Sequence, residues 1–120
     1  MRADDADWSP DGKRIVFEAY PHGHNGAYGD IFVIDATGGQ PTNLTHNPVG
    51  QAGSLDPVWS PDGKKILFLD IRRVNGVGRY GLATINPDGS NRQFISSKNL
   101  EEHQADWESI APSKLPAPYG

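Results

Sequence analysis

Apolar residues come in short bursts, Ile15-Val16-Phe17, Ile31-Phe32-Val33-Ile34 and Ile66-Leu67-Phe68, each bounded by Gly, Pro, Asp or Asn. Bursts of this length with turn residues on both sides predict β-strands. The first strand carries Trp8, the second covers residues 14–19 and the third covers 30–35, where the continuous apolar run predicts burial on both faces. Residues 41–45 form a short outer strand, in which Pro41 is tolerated because an edge needs fewer donors. A second set follows the same plan, with Trp59 ahead of a turn, a strand led by Ile66, a third strand over 79–85 and a fourth over 92–96. Residues 99–104 could form one helical turn, and nothing else in the chain reads as a helix.

The two sets are copies. Trp8-Ser9-Pro10-Asp11-Gly12-Lys13 returns as Trp59-Ser60-Pro61-Asp62-Gly63-Lys64, an offset of 59 − 8 = 51 that also carries Ile31 onto Leu82 and Gly38 onto Gly89. In each copy Pro sets φ for the turn, Asp offers a short acceptor to local N–H groups, and Gly takes the left-handed position before the next strand. Asn86-Pro87-Asp88-Gly89 supplies a further turn of this kind. A third copy starts at Ala105-Asp106-Trp107 and breaks off where the turn should follow. Four-stranded antiparallel sheets repeating at this period are the signature of propeller blades. The expected architecture is an all-β propeller fragment, with one blade over 1–53 and a second over 54–104. Residues 105–120 supply the closing strand of an incomplete blade and a tail.

Composition narrows the chemistry. Fourteen glycines and ten prolines in 120 residues suit many short strands joined by tight turns. The net charge of −4 argues against nucleic acid as a partner. No run is apolar enough to insert in a membrane, and Met1-Arg2-Ala3-Asp4-Asp5 lacks the apolar core of an export signal. Zero cysteines exclude disulfides, thiolate nucleophiles and cysteine zinc sites. There is no Gly-x-Ser-x-Gly elbow, and the glycines at 23–29 sit between strands rather than ahead of a helix. No catalytic residue and no cofactor is assigned.

The run from Asp7 through Trp8-Ser9-Pro10-Asp11-Gly12 to Phe17, with Asp30–Asp35 and Asn43-Leu44-Thr45, resembles the successive strands of the WD-like repeat of TolB-type β-propellers. The resemblance covers nearly the whole chain. It implies a ring of six or more blades, of which this chain supplies two, read as the C-terminal pair with Met1 as an internal start. The ring would be completed by missing blades or by self-association, including a two-blade protomer that trimerises. Similar repeats occur in periplasmic TolB proteins, in propellers attached to prolyl oligopeptidase-like peptidases, and in some polysaccharide lyases. The implied function is a non-catalytic protein-interaction scaffold in a bacterial periplasmic or exported protein. The alternatives are a blade pair from a peptidase or a metal-dependent lyase, and a cytoplasmic location.

Within a blade, the first-to-second and third-to-fourth turns share one end, and the other connections share the opposite end. The opposite set reads as long loops, over 20–29, 46–55, 71–78 and 98–104. Long loops on a rigid sheet are where binding concentrates. All four histidines, His22, His24, His46 and His103, fall there, and imidazole suits zinc, copper, iron or nickel. Solvated loops also hold histidines for solubility alone, so no metal is assigned. Arg72, Arg73 and Arg79 could meet an acidic partner, and with His22, His24 and Tyr28 they form the candidate interaction loops for a protein partner. Trp8, Trp59 and Trp107 share one repeat position and are expected to pack between blades. Open apolar faces at either end of the blade pair are expected to drive self-association.

Overall fold

The computed structural model describes the backbone of residues 3–21 and 29–95, and the side chains of these except 3, 4, 74, 79 and 80. The first sheet is formed by β1 (Ala3–Trp8), β2 (Arg14–Ala19), β3 (Asp30–Asp35) and β4 (Thr42–Asn43). The second is formed by β5 (Ala52–Trp59), β6 (Ile66–Val74), β7 (Val77–Ile85) and β8 (Gln93–Phe94). Each sheet is a four-stranded antiparallel meander in chain order. Among the described residues there is no helix.

The two Ser-Pro-Asp-Gly turns superpose bond for bond. Gly12 N–H donates to Ser9 O at 2.9 Å, and Gly63 N–H donates to Ser60 O at 2.9 Å. The Ser9 and Ser60 hydroxyls donate to Asp11 and Asp62 at 2.6 Å, and those carboxylates also accept from the N–H groups of Lys13 and Lys64 at 3.0 Å. Gly12 and Gly63 have φ of +71° and +72°, a region that a Cβ makes unfavourable. The serine hydroxyl bond comes first in holding the Asp11 and Asp62 carboxyls below their ordinary range, and the backbone donor adds to it. Asp88 is lowered in the same way by Ser90. These aspartates cap their turns.

A core of Val16, Ile31, Val33 and Leu44 from the first sheet and Trp59, Ile66, Phe68, Ala83 and Ile85 from the second lies between the sheets, each residue 9% exposed or less. Residues 31–33 are buried on both sides, as the apolar run predicts, because Phe32 stacks on Phe17 over the far face with ring centres 5.7 Å apart. Trp59 is 1% exposed and ties the sheets together. Its indole N–H donates to Asp7 O at 3.1 Å, its backbone N–H donates to the Asp7 carboxylate at 2.9 Å, and the Arg14 guanidinium lies 4.9 Å from its ring centre.

Trp8 departs from the expected pattern. It is 57% exposed, because its side of the first sheet is the side turned away from the second, and no sheet covers it among the described residues. The offset of 51 maps Trp8, Ile15, Phe17, Phe32 and Ile34 onto Trp59, Ile66, Phe68, Ala83 and Ile85, so the same template face is packed in one copy and turned outward in the other. The expectation of broad open faces is also too strong. Phe17 and Phe32 on that outer side are 8% and 7% exposed, and Leu67 and Leu82 on the outer side of the second sheet are 1% and 3% exposed. The closing strand and tail at 105–120, with Trp107, lie outside the described residues.

Two further departures concern the strands. The outer strands β4 and β8 are two residues long rather than five, since only Phe32, Val33, Ala83 and Thr84 pair with them. Residues 71–78 are not a long loop. β6 and β7 continue through them and meet in a two-residue turn at Asn75 and Gly76, whose φ values of +51° and +77° fit the turn type that matches strand twist.

Candidate functional site

The connection from β4 to β5 and the far end of the β6–β7 hairpin meet at one end of the sheets, opposite the Ser-Pro-Asp-Gly turns. Between them opens a cleft of about 350 Å³ lined by Thr45, His46, Asn47, Pro48, Gln51, Ala52, Arg72, Arg73 and Arg92. His46, Arg72 and Arg73, singled out in sequence, therefore meet in space. His22, His24, Tyr28 and His103 lie outside the described residues, and the side chain of Arg79 is likewise not described. His46 belongs to no cluster of metal-ligating side chains among the described residues.

The back of the cleft is a buried polar network. Asp70, with no exposed surface, accepts from Arg92 Nη2 at 2.6 Å and faces Arg72 Nε at 3.6 Å. Arg92 reaches across to the first blade's exit, donating to Thr45 O at 3.2 Å and Asn47 Oδ1 at 2.9 Å, and also to Ser54 Oγ at 3.3 Å. Asn47 in turn donates to Ser54 Oγ and Gly29 O. Asp30, 3% exposed, accepts from Thr45 Oγ1 at 2.6 Å, Asn47 N–H at 2.9 Å and Asn43 Nδ2 at 3.1 Å. A buried carboxylate is tolerable only when its partners are placed this closely. Arg72 Cζ lies 4.4 Å from the Phe94 ring centre, which restrains a side chain that is otherwise 48% exposed.

Arg92 was not anticipated, although a signal existed. The 51-residue offset puts Asp70 opposite Ala19 and Arg92 opposite Pro41, so the second copy departs from the template at two positions with opposite charges. Paired departures of this kind point to a contact.

A second group lies at the innermost strands. Asp5 and Asp56, equivalent under the offset, have φ of +49° and +52° at the register shifts of β1 and β5. Their carboxylates and that of Glu18 lie within 4.8 Å of one another, a donor set of the oxygen type that suits calcium or magnesium. Burial, then the hydrogen bond shared with Asp5, pushes the Glu18 carboxyl up to about 7, against the opposing effects of Tyr20 OH and Asp56 N–H, which both donate to it. Glu18 therefore holds its proton up to about pH 7, beside Asp5.

No family model matches the chain. It is 35% identical over 66 residues to "Uncharacterized peptidase YuxL" of Bacillus subtilis, covering 55% of this chain and 9% of that protein. It is 31% identical over 100 residues to "Uncharacterized protein Atu1656" of Agrobacterium fabrum, covering 83% of this chain and 29% of that protein. Among solved structures it matches "The structure of putative TolB from Agrobacterium tumefaciens" with a TM-score of 0.62 and 28% identity, over 80% of this chain and 31% of that one. The chain thus spans less than a third of each of these relatives. The two tryptophan-led sheets are two blades of a β-propeller fragment, of the TolB-like type.

Proposed function

We propose that the chain is a non-catalytic interaction module whose cleft-bearing end receives a protein partner, within a larger bacterial protein that is exported or periplasmic. The observation that carries this reading is the convergence of His46, Arg72 and Arg73 on one cleft, backed by a rigid ion-paired network and set on two packed sheets. Function commonly sits on connections held by such a scaffold. The likeness to a TolB structure supports it. Completion of the ring by further blades belongs to the same proposal.

A photo-crosslinker placed at Gln51 in the cleft tests the reading against one at Asp62 in the opposite turn, in extracts of the native host. Adducts with a discrete protein at position 51 and none at 62 are expected. Equal adducts at both positions would overturn it.

The match to a peptidase-named relative favours a second reading, a blade pair from a propeller-bearing enzyme. An adjoining α/β-hydrolase domain in the native gene would select it. For the lyase variant, metal titration with His22→Ala and His46→Ala controls is decisive, since unchanged binding in both eliminates these ligands. The outward-turned Trp8 face favours a third reading, a two-blade protomer that closes as a trimer, and light scattering after size exclusion reports that mass directly.

A further inference from the structure

Three of the chain's eleven basic residues, Arg72, Arg73 and Arg92, line a single cleft, and among the described residues no carboxylate lines it, the buried Asp70 lying behind its wall. This stands against a net charge of −4, so the cleft is a local cationic site on an acidic chain. Charge alone would attract any anion; the placement of the guanidiniums says more. Arg92 is spent on Asp70, Asn47, Thr45 and Ser54, which fixes it as the floor. Arg72 is held by Phe94 on its face and by Asp70 at its Nε, and among the described residues its two Nη groups have no hydrogen-bond partner. A guanidinium restrained on one edge with the other edge available loses little freedom on binding, and its fork matches the two oxygens of a carboxylate. Arg73 stands beside it, its strand anchored to the cleft's other wall by Arg73 N–H donating to Gln51 O at 2.9 Å.

The rest of the lining, Thr45, His46, Asn47, Pro48, Gln51 and Ala52, offers packing and hydrogen-bonding groups and no carboxylate. At about 350 Å³ the space lies near the lower end of the ~300–1,000 Å³ typical of ligand clefts, room for one side chain or a chain end rather than a folded surface.

We infer that this cleft binds a carboxylate of a peptide segment, an acidic side chain or a C-terminus, with Arg72 as the recognising group, Arg73 adding positive charge beside it and Arg92 as a positioning residue. The inference rests on the interaction-module reading and names the chemistry of the partner.

The test uses the full 120-residue chain and a fluorescein-labelled tetraglutamate peptide, followed by anisotropy in low salt. Saturable binding is expected that weakens at least tenfold for the tetraglutamine peptide and for Arg73→Glu, the unfolding midpoint of the variant being measured alongside. Arg72→Gln should weaken it similarly, and its own unfolding midpoint separates lost recognition from lost folding. Equal binding of both peptides, or of the Arg73→Glu variant, would overturn the carboxylate assignment while leaving the crosslinking result at Gln51 to stand. No binding of either peptide would overturn it too. Displacement of the peptide by inorganic phosphate at lower concentration than by acetate would reassign the site to phosphate and overturn the peptide carboxylate.

Discussion

Removing Arg92 should leave a fully buried charge without its main partner. Asp70 has no exposed surface, and its Oδ1 is held by Arg92 Nη2 at 2.6 Å, while among the described residues Oδ2 has no hydrogen-bond partner and faces Arg72 Nε at 3.6 Å. Arg92→Ala leaves that carboxylate with one long contact to a half-exposed partner. Breaking a buried pair from one side costs about 3–5 kcal/mol. The residual Arg72 contact, together with the 22% exposure of Arg92 itself, places the expected loss near the lower bound, about 3 kcal/mol. Urea unfolding followed by tryptophan fluorescence measures it. Asp70→Asn in the Arg92→Ala background should recover part of the loss, because the uncompensated charge is then gone, and Arg92→Lys should fall between the parent and Arg92→Ala because it keeps the charge without the fork. A loss below about 1 kcal/mol for Arg92→Ala, the range of a solvent-exposed ion pair, would refute the reasoning. So would strict additivity of the two substitutions.

Other consequences follow from the turn and the inner carboxylates. Gly76→Ala places a Cβ at φ +77° and should cost about 1–2 kcal/mol in the same unfolding assay, whereas Gly78→Ala, with open space around it and no positive φ, should cost far less. Glu18 keeps its proton to about pH 7 when folded and releases it near its ordinary 4.5 when unfolded. Between these values the native state binds more protons, so stability falls as pH rises from about 4.5 to about 7 and levels off above. Glu18→Gln should flatten the profile in that window. Asp11, Asp62 and Asp88 act in the opposite sense and elsewhere: their lowered values leave their contribution whole above about 3.8 and remove it only in stronger acid.

Much of this architecture could be read from residue order, and the limits have physical causes. The bounds of β2 and β3 agree with the sequence reading residue for residue, and the tight turns that open β2 and close β3 fix the shared end of the pair. The Asn75-Gly76 turn was legible too, since that dipeptide between alternating residues is a strong hairpin signal, yet the length between Ile71 and Gly78 suggested a loop. Trp8 and Trp59 open the same Trp-Ser-Pro-Asp-Gly-Lys run, yet among the described residues a sheet lies against Trp59 and none against Trp8, which no local pattern encodes. The cleft was half visible. Arg72, Arg73 and His46 stood out by position in connections, while Arg92 immediately precedes a two-residue strand and gains its role only when sheet register brings it to Asp70. The left-handed aspartates at 5 and 56 carry no warning except their shared place in the repeat.

The fold depends on the second sheet lying face to face on the first, with Trp59 clasped by Asp7 and Arg14. Nuclear Overhauser spectroscopy of the labelled chain reads this directly from the Trp59 indole N–H. The predicted result is a set of cross-peaks from that proton to Asp7 and from the ring to Arg14, with none from Trp8 to the second sheet. Cross-peaks of Trp59 confined to its own sheet, or a Trp8 indole packed against Ile66 and Phe68, would contradict it.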